Sequence, residues 1–269
     1  MKDLVEQWSE EQDAPASGTD PHVTIKNELV RRFQRMTLQQ KRVLALAIAK
    51  CNPKLKILLH KATSPDPATG IAPGWPVRIT AQEFLEAYPS IDAKHAYSDL
   101  KSAAESLYEC SVEWTVIQTE RGKKVPVRKV ARWIYERADT STSGWVELKF
   151  TPTIAPYLLG IERAYTTYKL KHAADLRSMY SWRLLEMMAQ FRDTGLLVIG
   201  YDEFCEAMGA PASCIKDAGQ LRRRVIDVAV KELQEKNGLK IEWEPTIPAG
   251  RKITGFKFTF QPDPQGRLF

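Results

Sequence analysis

The sequence predicts an α+β fold made of two similar domains, and three observations support it. A short motif occurs twice, as ITAQEFLEA at 79–87 and as IGYDEFCEA at 199–207. Each copy is followed by a long amphipathic helix, and then by stretches that alternate apolar and polar residues in the strand period. Helix, strand, helix, turn, helix and β-hairpin, in that order, form a winged helix-turn-helix. We therefore expect two tandem winged-helix domains related by an internal repeat, with chance similarity as the alternative.

Charge divides the chain into an acidic start and a basic body. Residues 1–22 hold six acids and one base, whereas the whole chain has a net charge of +6 and a pI near 9.0. We predict a disordered acidic tail at 1–22 and a body that binds nucleic acid or an anionic membrane surface. No apolar run approaches the roughly 18 residues of a membrane span, and no signal peptide is evident, so we expect a cytoplasmic protein.

The cysteines and histidines form no recognisable chemical site. The four cysteines lack CxxC spacing, which predicts reduced thiols and neither disulfides nor a zinc site. Neither a His-x-His pair nor a GxxxxGK[S/T] phosphate loop is present, so we expect no metal, no cofactor and no enzymatic activity. Tyr165, Tyr168 and Tyr180 could suggest a strand-transfer tyrosine, but core aromatics with a polar tip are the simpler interpretation.

The first domain is expected at 23–160. Predicted helices cover 25–36, 38–50, 81–88 and 93–109, and predicted strands cover 57–59, 77–79, 111–117, 125–137 and 145–150. Thr37 with Gln40, and Thr80 with Glu83, form capping boxes at two helix starts. Prolines and glycines argue against a regular element across 62–76.

The second domain is expected at 161–262, followed by a flexible tail at 263–269. A strand at 196–199, a helix at 202–208 and a turn at 209–211 precede one long helix at 220–235. Gly238 supplies the C-terminal cap of that helix. Strands at 240–243 and 253–260 then form a hairpin, and we equate 240–243 with 111–114 of the first domain. The predicted apolar face of the long helix comprises Leu221, Val225, Ile226, Val228, Ala229, Val230 and Leu233.

Arg222, Arg223 and Arg224 lie near the start of this helix. A helix N-terminus carries partial positive charge and favours acids, so an external polyanion is expected to compensate the arginines. Phosphate fits both the guanidinium groups and the free N–H groups of a first turn. The pattern favours a DNA-recognition helix. The alternative is a solvated face with an Arg223–Asp227–Lys231 ladder of i,i+4 pairs.

Charge and helical geometry give a set of candidate DNA contacts. Arg223 and Arg224 point away from the predicted core and are expected to contact bases or phosphates, whereas Arg222 is expected to snorkel to phosphate. The helix at 93–109 is the first-domain counterpart, with weaker, mostly phosphate contacts; a solvated face is the alternative. The complete predicted set is Lys94, His95, Ser98, Lys101, Lys216, Gln220, Arg222, Arg223, Arg224, Lys231, Arg251 and Lys252.

Several ordered stretches resemble the replication initiator (Rep) family of iteron-containing bacterial plasmids, over about Val23 to Phe260. They are 27–29 (NEL), 36–42 (MTLQQKR), 150–159 (FTPTIAPYLL), 165–170 (YTTYKL), 178–186 (SMYSWRLLE) and 220–225 (QLRRRV). The departures are Leu221, where the family commonly has an aromatic residue, the longer loop at 62–76 and the acidic tail.

The resemblance implies a non-enzymatic DNA-binding protein. Such proteins bind direct repeats (iterons) in a plasmid origin as monomers, help to open the adjacent duplex and recruit the host helicase or its loader. Many also dimerise, largely through the first domain, and repress their own gene. A tandem winged-helix repressor without origin opening and a DNA-packaging protein are the alternatives. Tandem repeats beside an A·T-rich segment near the gene would favour the initiator.

The chain ends in Gln265-Gly266-Arg267-Leu268-Phe269, which is similar to the Q-x-x-L-F pentapeptide by which bacterial proteins bind the replicative sliding clamp. Gln265 is predicted to anchor by hydrogen bonds, and Leu268 and Phe269 to fill an apolar pocket. Gly266 and Arg267 depart from the preferred residues, so we expect weak binding, with a Kd of about 1 μM. A frayed terminus is the alternative.

Overall fold

The structure, a computed structural model, describes residues 21–34, 36–51, 54, 56–247 and 252–262. Two winged-helix units follow one another along the chain. Most of the predicted acidic tail at 1–22 lies outside the described residues, and its last residue, His22, begins the first strand. Arg251 and the predicted tail at 263–269, with Gln265, Leu268 and Phe269, also lie outside them.

The N-terminal unit contains five helices and seven strands among the described residues. The helices are α1 (Asn27–Val30), α2 (Leu38–Lys50), α3 (Lys56–Thr63), α4 (Ala81–Ala87) and α5 (Ala96–Tyr108). The strands are β1 (His22–Lys26), β2 (Phe33–Gln34), β3 (Trp75–Thr80), β4 (Ser111–Glu120), β5 (Lys123–Arg132), β6 (Ile134–Thr140) and β7 (Trp145–Phe150). A 3₁₀ turn at Ala155–Tyr157 follows. Both predicted capping boxes are confirmed: Thr37 and Gln40 begin α2, and Thr80 and Glu83 begin α4.

After the junction predicted near residue 160, the chain forms β8 (Tyr165–Lys169), α6 (Lys171–Ala174), α7 (Met179–Ala189), β9 (Leu196–Gly200), α8 (Tyr201–Met208) and α9 (Ala212–Ile215). We refer to the elements from β8 onward as the C-terminal unit. A continuous helical stretch follows, made of α10 (Ala218–Leu221), a π-helical turn (Arg222–Ile226) and α11 (Asp227–Asn237). We call these three segments together the arginine helix. The strands β10 (Leu239–Thr246) and β11 (Gly255–Pro262) form the hairpin, or wing.

Sheet topology confirms the internal repeat and corrects one detail of it. The strand order is β3-β7-β6 in the N-terminal unit and β10-β11-β9 in the C-terminal unit, so β6 and β7 are the counterparts of β10 and β11. The predicted match of 111–114 with 240–243 is therefore wrong. Residues 111–114 belong to β4, which pairs with β5 in a separate hairpin inserted after α5. We call β4 and β5 the ribbon.

Three predicted elements of the N-terminal unit are wrong. The helix expected at 25–36 is reduced to α1, because residues 25 and 26 belong to β1, which pairs with β8, and residues 33 and 34 form β2, which pairs with β4. The strand expected at 57–59 is part of α3, since a short apolar run does not distinguish a strand from a buried helix face. The strand expected at 125–137 divides at the buried Trp133, because β5 and β6 belong to different sheets.

The two units share a contact surface. The β1–β8 pairing joins strands on either side of the junction predicted near 160, which stays a prediction. Each unit also has its own aromatic core residue in the repeated motif, since Phe84 and Phe204 are both fully buried. Within the described part of the chain, no helix is both long enough and apolar enough to cross a membrane.

Candidate nucleic-acid interface

The helix-turn-helix of the C-terminal unit is built from α8, a short turn and the arginine helix. Gly209 ends α8 in the left-handed conformation, at φ 61°, which glycine adopts without steric cost. The Asp217 carboxylate then accepts hydrogen bonds from the backbone N–H groups of Gly219 (2.8 Å) and Gln220 (3.1 Å). This side-chain cap begins the helix at Ala218, two residues before the predicted start.

A π-helical turn places the three arginines. π-turns add one residue to a helical turn and occur often at functional sites. Because the turn spans Arg222–Ile226, residues five apart come into line, and the Arg222 Nε atom lies 3.4 Å from the Asp227 carboxylate. The i,i+4 pair Arg223–Asp227, which the alternative interpretation required, is therefore not the pair that forms. Val228, predicted on the apolar face, is 41% exposed.

The arginines differ in their contacts. The Arg222 guanidinium lies 5.7 Å from the centre of the Trp243 ring in the wing, so this side chain is held between Asp227 and the wing. Arg223 and Arg224 are exposed. The Arg223 guanidinium extends over the first turn, since a Cβ atom on Gly219 would lie 3.6 Å from its Nη1 atom. The arrangement leaves two guanidinium groups, in the turn that follows the helix start, available to an anion.

The other predicted contacts of this unit surround the arginines unevenly. Lys216 is exposed just before the helix and Gln220 is half-buried in its first turn. Lys231 lies farther along the helix and is paired with Glu235 at 3.8 Å. Lys252 is exposed in the wing loop. Lys216 and Lys252 thus extend the basic surface on two elements that flank the helix.

The N-terminal unit presents a different surface. Lys94, His95 and Ser98 are exposed at the start of α5, and the Ser98 hydroxyl donates to the His95 carbonyl at 2.8 Å. Lys101 forms an ion pair with Asp139 at 2.9 Å. The hydrogen bond from Lys101 holds the pKa of Asp139 below its ordinary value, so the carboxylate is charged at neutral pH.

Sequence reasoning missed several residues that shape these surfaces. The Trp243 ring lies beside the Arg222 guanidinium. On β6, Asp139 forms an ion pair with Lys101 and Arg137 forms one with Glu105, so these two strand residues offset charges on α5. The alternating charges in the sequence of β6 could have indicated these ion pairs. The ribbon also carries exposed basic side chains that were not selected, namely Arg121, Lys123, Lys124 and Lys129.

The described residues contain no group of three or more His, Cys, Asp or Glu side chains arranged to hold a metal ion. All four cysteines are buried and free. Burial raises the pKa of Cys51 to about 12 and that of Cys205 to about 11, so these two thiols stay protonated at neutral pH.

Comparisons with known proteins agree with the two-unit architecture. Residues 22–189 match the family described as Initiator Replication protein, WH1, and residues 201–260 match Initiator Rep protein, WH2. The PI protein of Escherichia coli is 25% identical over 267 residues, covering 88% of this chain and 82% of its own length. A Bifidobacterium longum protein described as "Probable replication protein rep" is 30% identical over 115 residues, covering 43% of this chain and 38% of its own length.

A solved structure has the same fold. The crystal structure of Pi initiator protein in complex with iteron DNA superposes with a TM-score of 0.66 at 20% identity, covering 92% of this chain and all of that chain. The family matches, the two winged-helix units and the order of the motifs lead to one assignment. The chain belongs to the replication initiator (Rep) family of iteron-containing bacterial plasmids.

Proposed function

We propose that this protein initiates plasmid replication by binding iterons as a monomer through both winged-helix units. The observation that carries the proposal is the exposed Arg223–Arg224 pair in the π-helical turn of the arginine helix, which follows the first turn capped by Asp217. The structural relative Pi initiator protein was crystallised with iteron DNA, which supports the same ligand for this chain. We expect no enzymatic activity, and action on plasmid DNA in the bacterial cytoplasm.

Affinity and specificity would come from different side chains. Lysines such as Lys216 and Lys252 supply phosphate contacts, which give affinity with steep salt dependence. An arginine that donates two hydrogen bonds to guanine discriminates against other bases by about 1–3 kcal/mol. Footprinting on the origin of the parent replicon tests the proposal directly. Protected tandem repeats about two helical turns apart are expected, and uniform protection without repeats would contradict it.

We propose further that bound monomers help to open the adjacent A·T-rich duplex and recruit the host helicase or its loader. A transcriptional repressor with the same fold would bind DNA without opening it. Permanganate probing of unpaired thymines at the origin distinguishes the two functions. Reactive thymines that appear only when the protein is added would support the initiator, and footprints without them would favour the repressor.

A dimer that represses its own gene is also proposed, with the ribbon as its contact. The strand β5 is the edge of its sheet, and Ile117 and Val130 on the ribbon are exposed. Exposed edge strands readily pair with another chain. Sedimentation of the full chain should therefore show a monomer–dimer equilibrium, and Val130→Lys should shift it to monomer. Ile71→Lys, at an exposed residue outside the ribbon, is the matched control.

The C-terminal pentapeptide at 265–269 is proposed to bind the sliding clamp of the host. The support is its sequence alone, with Gln265, Leu268 and Phe269 at the required spacing. Binding of the full chain to the clamp should be measured with and without residues 265–269. Loss of binding on deletion is expected. Equal binding, or none by the intact chain, would remove this proposal without affecting the DNA-binding function.

A further inference from the structure

A buried ion pair joins the two winged-helix units. Lys41 on α2 lies 2.7 Å and 3.0 Å from the two carboxylate oxygens of Glu186 on α7. Their side chains are only 4% and 5% exposed. The Tyr168 hydroxyl donates to the same carboxylate at 2.8 Å and accepts from Trp182 Nε1 at 3.0 Å. Both carboxylate oxygens of Glu186 are therefore engaged, Oε1 by Lys41 and Tyr168 and Oε2 by Lys41.

The helices that carry this pair are the ones that support the two DNA-facing helices. In the N-terminal unit α2 packs on α5, and in the C-terminal unit α7 packs on α11. The arginine helix is also tied to the start of α7, because Glu232 accepts hydrogen bonds from the backbone N–H groups of Arg177 (2.8 Å) and Ser178 (3.1 Å). Packing contacts therefore connect α5 to α2 and α7 to the arginine helix, and the Lys41–Glu186 pair connects α2 to α7.

A buried ion pair is a poor source of stability, since removing two charges from water offsets most of their attraction. Burial accordingly lowers the pKa of Lys41, against the effect of Glu186. In some proteins such a pair instead specifies geometry. Apolar surfaces can pack in several registers, whereas a buried polar pair is satisfied in one.

We propose that the Lys41–Glu186 pair is a positioning element that fixes the distance and rotation between the two DNA-facing helices, and thereby sets the half-site spacing that one iteron must present. This inference rests on the proposed iteron binding by both units. One added base pair moves a half-site by about 3.4 Å and turns it by about 35°. A rigid pair of helices cannot follow such a displacement, whereas a loosened pair can.

The test uses the full-length double variant Lys41→Met with Glu186→Leu, because paired apolar replacements of a buried ion pair are often tolerated. Binding is measured on the footprinted iteron and on iterons lengthened or shortened by one base pair between the half-sites. We expect the unmodified protein to bind the altered iterons at least about tenfold more weakly, on the scale of one mismatched base pair. The double variant should lose most of this discrimination.

Arg31→Ala is the matched control. Arg31 also reaches across the units, to Glu203 at 3.1 Å, to Gln190 at 3.0 Å and over the Phe191 ring at 5.7 Å. The Arg31 and Glu203 side chains are more than 40% exposed, so loss of this solvated contact should leave spacing discrimination unchanged. A folded double variant that discriminates as sharply as the unmodified protein would overturn the proposal.

A second measurement needs no DNA. Because the native cysteines are buried, spin labels can be attached selectively at Ser102→Cys on α5 and Lys236→Cys on α11, both exposed positions. The distance distribution between labels should broaden in the double variant and in Glu186→Gln, and stay narrow in the Arg31→Ala control. An unchanged width in both variants would overturn the positioning role. Failure of the unmodified protein to bind any iteron would instead contradict the proposed function.

Discussion

The arginine helix and α5 occupy equivalent positions in the two winged-helix units, yet their basic residues differ in what they contact. Arg223 and Arg224 are exposed in the π-helical turn of the arginine helix, whereas Lys101 on α5 is paired with Asp139 from the adjacent strand. The same architecture therefore supports one surface with uncompensated positive charge and one that is largely neutralised. The wing strands contact these two helices differently, because Asp139 on β6 pairs with Lys101, whereas the Trp243 ring on β10 lies beside Arg222.

The most disruptive test of this comparison removes the aromatic core residue of each repeat. Phe84 and Phe204 are fully buried at matching positions of the two motifs. Phe84→Ala and Phe204→Ala should each lower the free energy of unfolding by about 3–5 kcal/mol, as for a buried aromatic side chain. Urea unfolding followed by circular dichroism gives the values. Losses below about 1 kcal/mol at both positions would contradict the equivalence of the two units.

Truncating the exposed arginines should have the next largest effect. Arg223→Ala or Arg224→Ala should weaken binding to the specific repeat by about 1–3 kcal/mol if the side chain contacts a base. Fluorescence anisotropy with specific and scrambled duplexes separates this loss from a uniform one. Lys236→Ala, at an exposed position near the end of the same helix, is the matched control. Unchanged affinity in both arginine variants would exclude the arginine helix as the recognition helix.

The wing should contribute affinity without specificity. Lys252 is exposed beside the wing strands, so Lys252→Ala should weaken binding to all duplexes alike and reduce the slope of log K against log salt by about one. A salt titration on specific and scrambled duplexes measures both quantities. A loss confined to the specific duplex would show that the wing residue contributes to specificity.

The smallest expected effect is that of Lys101, because its charge is already compensated. Lys101→Ala should change DNA affinity by less than about 1 kcal/mol, as for an exposed ion pair. Asp139→Asn should instead raise the non-specific affinity for DNA, because it removes a carboxylate that is ionised at neutral pH. The tightening should vanish in acid, when pH falls through the depressed pKa of Asp139 in the unmodified protein. If Lys101→Ala and Arg224→Ala lowered DNA affinity equally, the proposed difference between a neutralised α5 and an uncompensated arginine helix would be wrong.

The sequence by itself determined the features that depend on neighbouring residues. The capping boxes at Thr37 and Thr80, the glycine cap at Gly238 and the repeated motif all predicted elements that the structure contains. The candidate arginines were found in the same way, because helical periodicity separates a charged face from an apolar one. These signals are local, so they can be recognised before any long-range contact is known.

Only the tertiary structure decided which distant residues meet. The pairings of β1 with β8 and of β2 with β4 shortened the helix predicted at 25–36 to four residues, since backbone hydrogen bonds to remote partners outweighed a weak local preference. The π-turn aligned Arg222 with Asp227 and left Arg223 exposed, a one-residue shift that an ideal helical wheel cannot contain. Lys41 and Glu186 belong to helices far apart in the chain. Their contact depends on how the two units pack, which no local pattern in the sequence records.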